Sequence, residues 1–114
     1  MRRILLAVVL SVAFTGCGSS SNTDTPAAAC NSLASAVCNR VFACDNAAAT
    51  QAFGSVSNCI TTVENQAQCS TAACPTGKTF NSGNASSCIN GISSTACADV
   101  EQGNYPAVCN NVCT

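Results

Sequence analysis

The chain has 114 residues, eleven of them cysteine, with no histidine or tryptophan and a formal net charge of −1. That length allows one small domain after any leader. Four Lys/Arg residues cannot build the basic face of a nucleic-acid binder. Without an imidazole base, Ser-His-Asp and Cys-His hydrolases and histidine-ligated zinc sites are excluded as well.

The chain opens with a positive head, Met1-Arg2-Arg3, and an apolar run from Ile4 to Phe14. The run is too short to span a bilayer, which takes about 20 apolar residues, and it fits the middle of a secretory signal. Residues 1–16 are therefore expected to be a signal peptide. The residues around Arg2 and Arg3 do not make a twin-arginine signal.

Phe14-Thr15-Gly16-Cys17 resembles the lipobox of bacterial lipoproteins, departing from it at Phe14, where leucine is usual. The resemblance implies cleavage before Cys17 and lipidation of its thiol and new amino terminus. The competing reading is an ordinary signal peptide cut nearby. Two or more acyl chains hold a protein stably at a membrane where one does so only marginally. Gly18 follows the cysteine in place of aspartate, and by resemblance to the enterobacterial sorting pattern this implies the outer membrane. Residues 17–25 then read as a lipidated cysteine and a flexible polar tether. After residue 16 only Arg40 and Lys78 stand against Asp24, Asp45, Glu64, Asp99 and Glu101, a formal −3. Such a surface is not drawn to anionic lipid, so the lipid must anchor alone.

Setting Cys17 aside leaves Cys30, Cys38, Cys44, Cys59, Cys69, Cys74, Cys88, Cys97, Cys109 and Cys113. An even number in an oxidising compartment reads as five disulfides, whose pairing spacing does not decide. If residues 30–44 form one helix, Cys30 and Cys38 are about 12 Å apart along it and cannot bond. From Pro26 onward there are only fifteen large apolar side chains, a thin core that needs cross-links. No metal or cofactor is expected, because no C-x-x-C pair occurs. The nearest spacings are Cys69-x4-Cys74 and Cys109-x3-Cys113.

Residues 26–114 read as one cysteine-rich helical domain. The first helix is expected over Pro26 to Asn46, capped by Thr25 or Asp24, with Cys30, Leu33, Val37, Val41 and Cys44 inward and Cys38 beside them. Arg40 reads as part of a solvated face. Ser55 caps a second helix with Val56, Cys59, Ile60, Val63 and Ala67 inward. A third begins near Asn84, with Ala85, Cys88, Ile89, Ile92 and Ala96 inward. Ser57–Val63 and Ser86–Ile92 align as a weak internal duplication, each followed by an exit cysteine, Cys69 or Cys97. Residues 69–83 read as a loop with a short extended stretch at Lys78-Thr79-Phe80. A last element starts near Tyr105-Pro106, puts Val108, Cys109, Val112 and Cys113 on one face, and is tied down by Cys113. The fold class is all-α: a small disulfide-rich bundle of three to four short helices after a signal peptide and tether.

The lipobox, the Ser/Thr tether, Ala29-Cys30…Val37-Cys38…Phe42-Ala43-Cys44, the Ser-x-Cys-Ile helices and Pro106-Ala-Val-Cys109-x3-Cys113 together resemble the small cysteine-rich lipoproteins of myxobacteria and related delta-proteobacteria. The resemblance spans the chain after residue 16 and implies export and anchoring, but no activity. The leading functional expectation is a non-enzymatic lipoprotein of the envelope or surface. It would be bound to the membrane through Cys17, with a structural or binding domain for a protein or glycan partner. Catalytic residues are expected to be none. A thiol oxidoreductase or carboxylate-dependent hydrolase is the alternative, but Asp99 and Glu101, two apart on a helix, do not share a face. No cysteine has a readable electropositive neighbourhood either. A secreted inhibitor or toxin-like effector is the third possibility.

Overall fold

The computed structural model of the protein describes residues 23–114. The expected signal peptide, Cys17 and most of the expected tether lie outside the described residues. The described chain is all-α, with five helices: α1 (Pro26–Cys44), α2 (Asn46–Phe53), α3 (Val56–Gln66), α4 (Ser82–Ser93) and α5 (Cys97–Gln102). One 3₁₀ turn follows α3 at Cys69–Thr71 and a second closes the chain at Ala107–Asn111. Three of the five are the expected ones, α2 and α5 are additional, and the last expected element is the 3₁₀ turn at Ala107–Asn111.

Each boundary has a local cause. The Thr25 side chain accepts a hydrogen bond from the Ala28 N–H at 3.1 Å, with Pro26 in the first turn. A cap of this kind is worth about 1 kcal/mol. Asp45 ends α1 with its N–H on the Val41 carbonyl, and its carboxylate caps α2 by accepting from the Ala48 N–H at 3.0 Å. One residue therefore breaks what the sequence pattern runs on as a single helix to Asn46. Gly54, at φ +85°, closes α2, a conformation that side chains with a Cβ rarely adopt. Ser55 caps α3 as expected. Asn81 caps α4 by accepting from the Asn84 N–H at 2.8 Å, so α4 starts at Ser82, before the predicted Asn84. Ala96, expected on the inner face of α4, is exposed and instead leads into α5.

The core is built around α1, which packs against α2, α3, α4, α5 and the first 3₁₀ turn. Its buried arc includes Ala34, Ala36, Val37, Cys38, Val41 and Phe42, wider than a single stripe because partners lie on several sides. Of the fifteen large apolar side chains, only Val37, Val41, Phe42, Ile89, Ile92 and Val100 are buried. Half-cystines and alanines take up the remaining interior: Cys38 and Cys59 have no exposed surface, Cys69 and Cys88 are buried, and so are Ala29, Ala34, Ala36, Ala49 and Ala85. The disulfides are thus part of the core as well as staples across it. The predicted inner faces hold on α4, where Ala85, Cys88, Ile89 and Ile92 are all buried. On α3 only Cys59 is buried, while Val56, Ile60 and Val63 pack half-buried against the cluster.

The C-terminus returns to the loop before α4. Phe80 and Cys113 form an isolated antiparallel bridge, and Thr79 and Thr114 exchange backbone hydrogen bonds of 2.8 and 2.9 Å. The extended stretch expected at Lys78–Phe80 is half of this pairing. Val108, Cys109, Val112 and Cys113 are all half-buried at the end of the chain.

Gly91 lies in α4 where Pro106 packs on it. A Cβ at Gly91 would sit 2.9 Å from Pro106 Cγ and 3.3 Å from its Cβ. Replacing a glycine by alanine in an exposed helix gains about 1 kcal/mol, whereas overpacking costs about 1–3 kcal/mol. The rigid proline ring cannot swing aside, so Gly91→Ala is expected to lower stability by about 1 kcal/mol. Pro106→Ala in the same chain should recover part of that loss, read as the coupling in a thermal-unfolding double-mutant cycle.

Candidate functional site: an apolar groove with cross-linked walls

The ten described cysteines pair as Cys30–Cys69, Cys38–Cys59, Cys44–Cys97, Cys74–Cys113 and Cys88–Cys109. The pairs form two nested sets. In the first half a bond across 39 residues encloses one across 21. In the second half the same two separations recur. Cys44–Cys97, spanning 53 residues, joins the halves. The internal duplication read from sequence does not carry over to the bonds. Cys59 returns to α1 and Cys88 goes forward to the last turn, although the exit cysteines Cys69 and Cys97 both bond to α1. The two closest cysteine spacings, Cys69 to Cys74 and Cys109 to Cys113, hold no bond within either pair, and their four cysteines are shared among three bridges. No cluster of three or more potential metal ligands occurs among the described residues.

The charged groups considered as chemical candidates are spread apart. Asp45 is a helix cap, and Asp99 and Glu101 are exposed on α5. Arg40, expected on a solvated face, is half-buried. Its Nε donates to the Thr95 carbonyl at 2.9 Å and its guanidinium lies 3.9 Å from Cys97 Sγ. It ties α1 to the α4–α5 junction beside the Cys44–Cys97 bridge, a tertiary contact that helical periodicity cannot show.

A groove of about 440 Å³ opens along the same stripe of α1, on the N-terminal side of Arg40. One wall is the α1 stripe from Pro26 through Ala29, Cys30, Leu33 and Ala34 to Val37, about 17 Å long at 1.5 Å per residue. Ala85, Cys88, Ile89 and Ile92 of α4 form a second wall. The end of α3 and the loop after it supply Val63, Gln66, Ala67, Ala72 and Ala73. Phe80 of the loop before α4 and Tyr105, Cys109, Val112 and Cys113 of the C-terminal part complete the groove. None of these described residues carries a formal charge. Gln66 and Tyr105 have the only lining side chains with an amide or hydroxyl group, and burial pushes the Tyr105 phenol well above its usual range, so it stays neutral.

Three bridges hold the walls to one another. Cys30–Cys69 fixes α1 to the turn after α3, Cys88–Cys109 fixes α4 to the last turn, and Cys74–Cys113 fixes the loop to the chain end. A site cross-linked in this way loses little freedom when it is filled, which favours binding. The sequence reading nominated no binding residue. The available signal was Ala72-Ala73 beside Pro75, apolar residues inside a segment otherwise read as loop.

No helix among the described residues is long and apolar enough to cross a membrane. Five disulfides in so small a domain are those of a protein made in an oxidising, exported compartment. Comparison with known proteins gives no relative: no family model, curated protein or solved structure matches the chain.

Proposed function

We propose that the protein is an exported lipoprotein held at the bacterial outer membrane through lipid on Cys17, and that its domain is a non-enzymatic binding module. The observation that carries the binding half is the apolar groove whose walls are joined by three disulfides. Support for the anchoring half is the lipobox-like join at Cys17, its polar tether, and a cysteine count in which the other ten are consumed in pairs. The layout of small cysteine-rich myxobacterial and delta-proteobacterial lipoproteins agrees with this reading.

Cys17→Ser tests the anchor. The variant should carry no acyl mass and be either released from the membrane or stranded there as the uncleaved precursor, while keeping the domain's five bridges. Intact mass should show the native protein starting at Cys17 with added acyl mass, and ten cysteines alkylated only after reduction. A Cys17→Ser protein that still pellets with membranes as a mature species would sink the anchor. Free thiols in the unreduced native protein would sink the cross-linked module.

A further inference from the structure

We infer that the groove binds the single acyl chain of a free monoacyl lipid, with the head group left in water. This deepens the binding-module reading and rests on it. A methylene group takes about the volume of a liquid water molecule, about 30 Å³. The groove's 440 Å³ therefore has room for about fifteen carbons, one lipid tail and not two. A glycan or polar peptide would bury hydrogen-bonding groups against walls that offer them almost no partners.

Charge points the same way. The described residues hold two cations, and neither lines the groove. Arg40, one turn beyond Val37 on the same stripe of α1, is held by its hydrogen bond to the Thr95 carbonyl, and Lys78 stands in the exposed loop. Nothing is therefore placed to pair with an ionised head, and selection must come from the tail. Gln66, exposed at the rim, can serve the neutral ester or hydroxyl neck of such a lipid. Pro26, the first residue of α1, is also a lining residue. Eight residues separate it from Cys17, nine steps along the chain with a reach of at most about 30 Å. An anchored domain thus keeps its groove beside the bilayer that supplies monoacyl lipids.

The test is titration calorimetry of full-length mature protein, native and Cys17→Ser, with lysophosphatidylcholines of eight to eighteen carbons below their micelle concentrations. Affinity should rise about fourfold per methylene and level off near fifteen carbons. Glycerophosphocholine alone should not bind. Exchanging the choline head for ethanolamine, or raising the salt, should change affinity less than threefold. Ala67, an exposed lining position, offers a variant that spares the buried core. Ala67→Phe should keep all five bridges by mass and weaken the fourteen-carbon ligand at least tenfold.

Affinity that follows the head group or salt, or that ignores chain length, would overturn the inference. Binding by Cys17→Ser but not by the native protein would overturn it too, since the groove would then hold the protein's own acyl chain. The two readings fail separately. Tail-length-dependent binding by a native protein without acyl mass would remove the anchor and keep the groove. An acylated protein blind to every chain length would do the reverse.

Discussion

Replacing Cys38 and Cys59 together by alanine is expected to be the most damaging loss of any one bridge. Closing a loop of 21 residues restrains the unfolded chain by about 3 kcal/mol. The Cys74–Cys113 loop is longer, 39 residues, but on the same reasoning the difference is only about 0.5 kcal/mol. Burial decides the order. Cys38 and Cys59 are both 0% exposed, where α1 meets α3, so their removal also opens a void among packed side chains. Cys74 and Cys113 are half-buried at the chain end. The Cys38/Cys59 variant should lose more than 3 kcal/mol, a large share of the 5–15 kcal/mol that holds a typical domain. It should accumulate poorly after export, and urea unfolding should rank it below the Cys74/Cys113 variant. The opposite ranking would mean that chain restraint, and not interior packing, is the main contribution of these bonds.

Ile92→Ala is expected to cost the most of any aliphatic truncation. Ile92 is 2% exposed on α4, faces the central cluster and also lines the groove. Truncating a buried isoleucine costs about 2–5 kcal/mol, the larger figures applying where neighbours cannot collapse into the space. Here α4 is held by Cys88–Cys109 and by Pro106 against Gly91, so collapse is hindered and about 3 kcal/mol is expected. Ile60→Ala, half-buried on α3, should cost about 1 kcal/mol by its smaller area. Thermal unfolding of the two variants side by side checks this. Equal losses would show that the groove-side interior relaxes freely.

The local parts of the fold were legible in the sequence, and the long-range parts were not. Thr25 and Ser55 act as caps because a hydroxyl before a helical run has one obvious use. The inner set on α4 follows from spacing alone. The Asn46–Phe53 helix was missed because its alanines give no stripe, and because Asp45 works in two helices at once. Arg40 was placed in solvent because its partner, Thr95, is 55 residues away. The groove was hidden for a related reason. It depends on the spacing between α1 and α4 and on half-exposed side chains such as Leu33 and Phe80, which a pattern of apolar positions counts simply as core.

The bonding order also bears on how the protein is made. No cysteine is joined to its immediate neighbour in the order of cysteines along the chain. An oxidase acting on thiols as they emerge from the export channel, each with the one before, would produce none of the five native bonds. Once α1 has formed it guards against some of these errors, since Cys30 and Cys38 stand about 12 Å apart on it and Cys38 and Cys44 about 9 Å. The others, if formed, require exchange. Cys44 in particular must wait for Cys97, the eighth cysteine in the described chain, and stays free while four later thiols pass. Native pairing therefore requires that oxidation wait for the later thiols or that early bonds be exchanged for native ones.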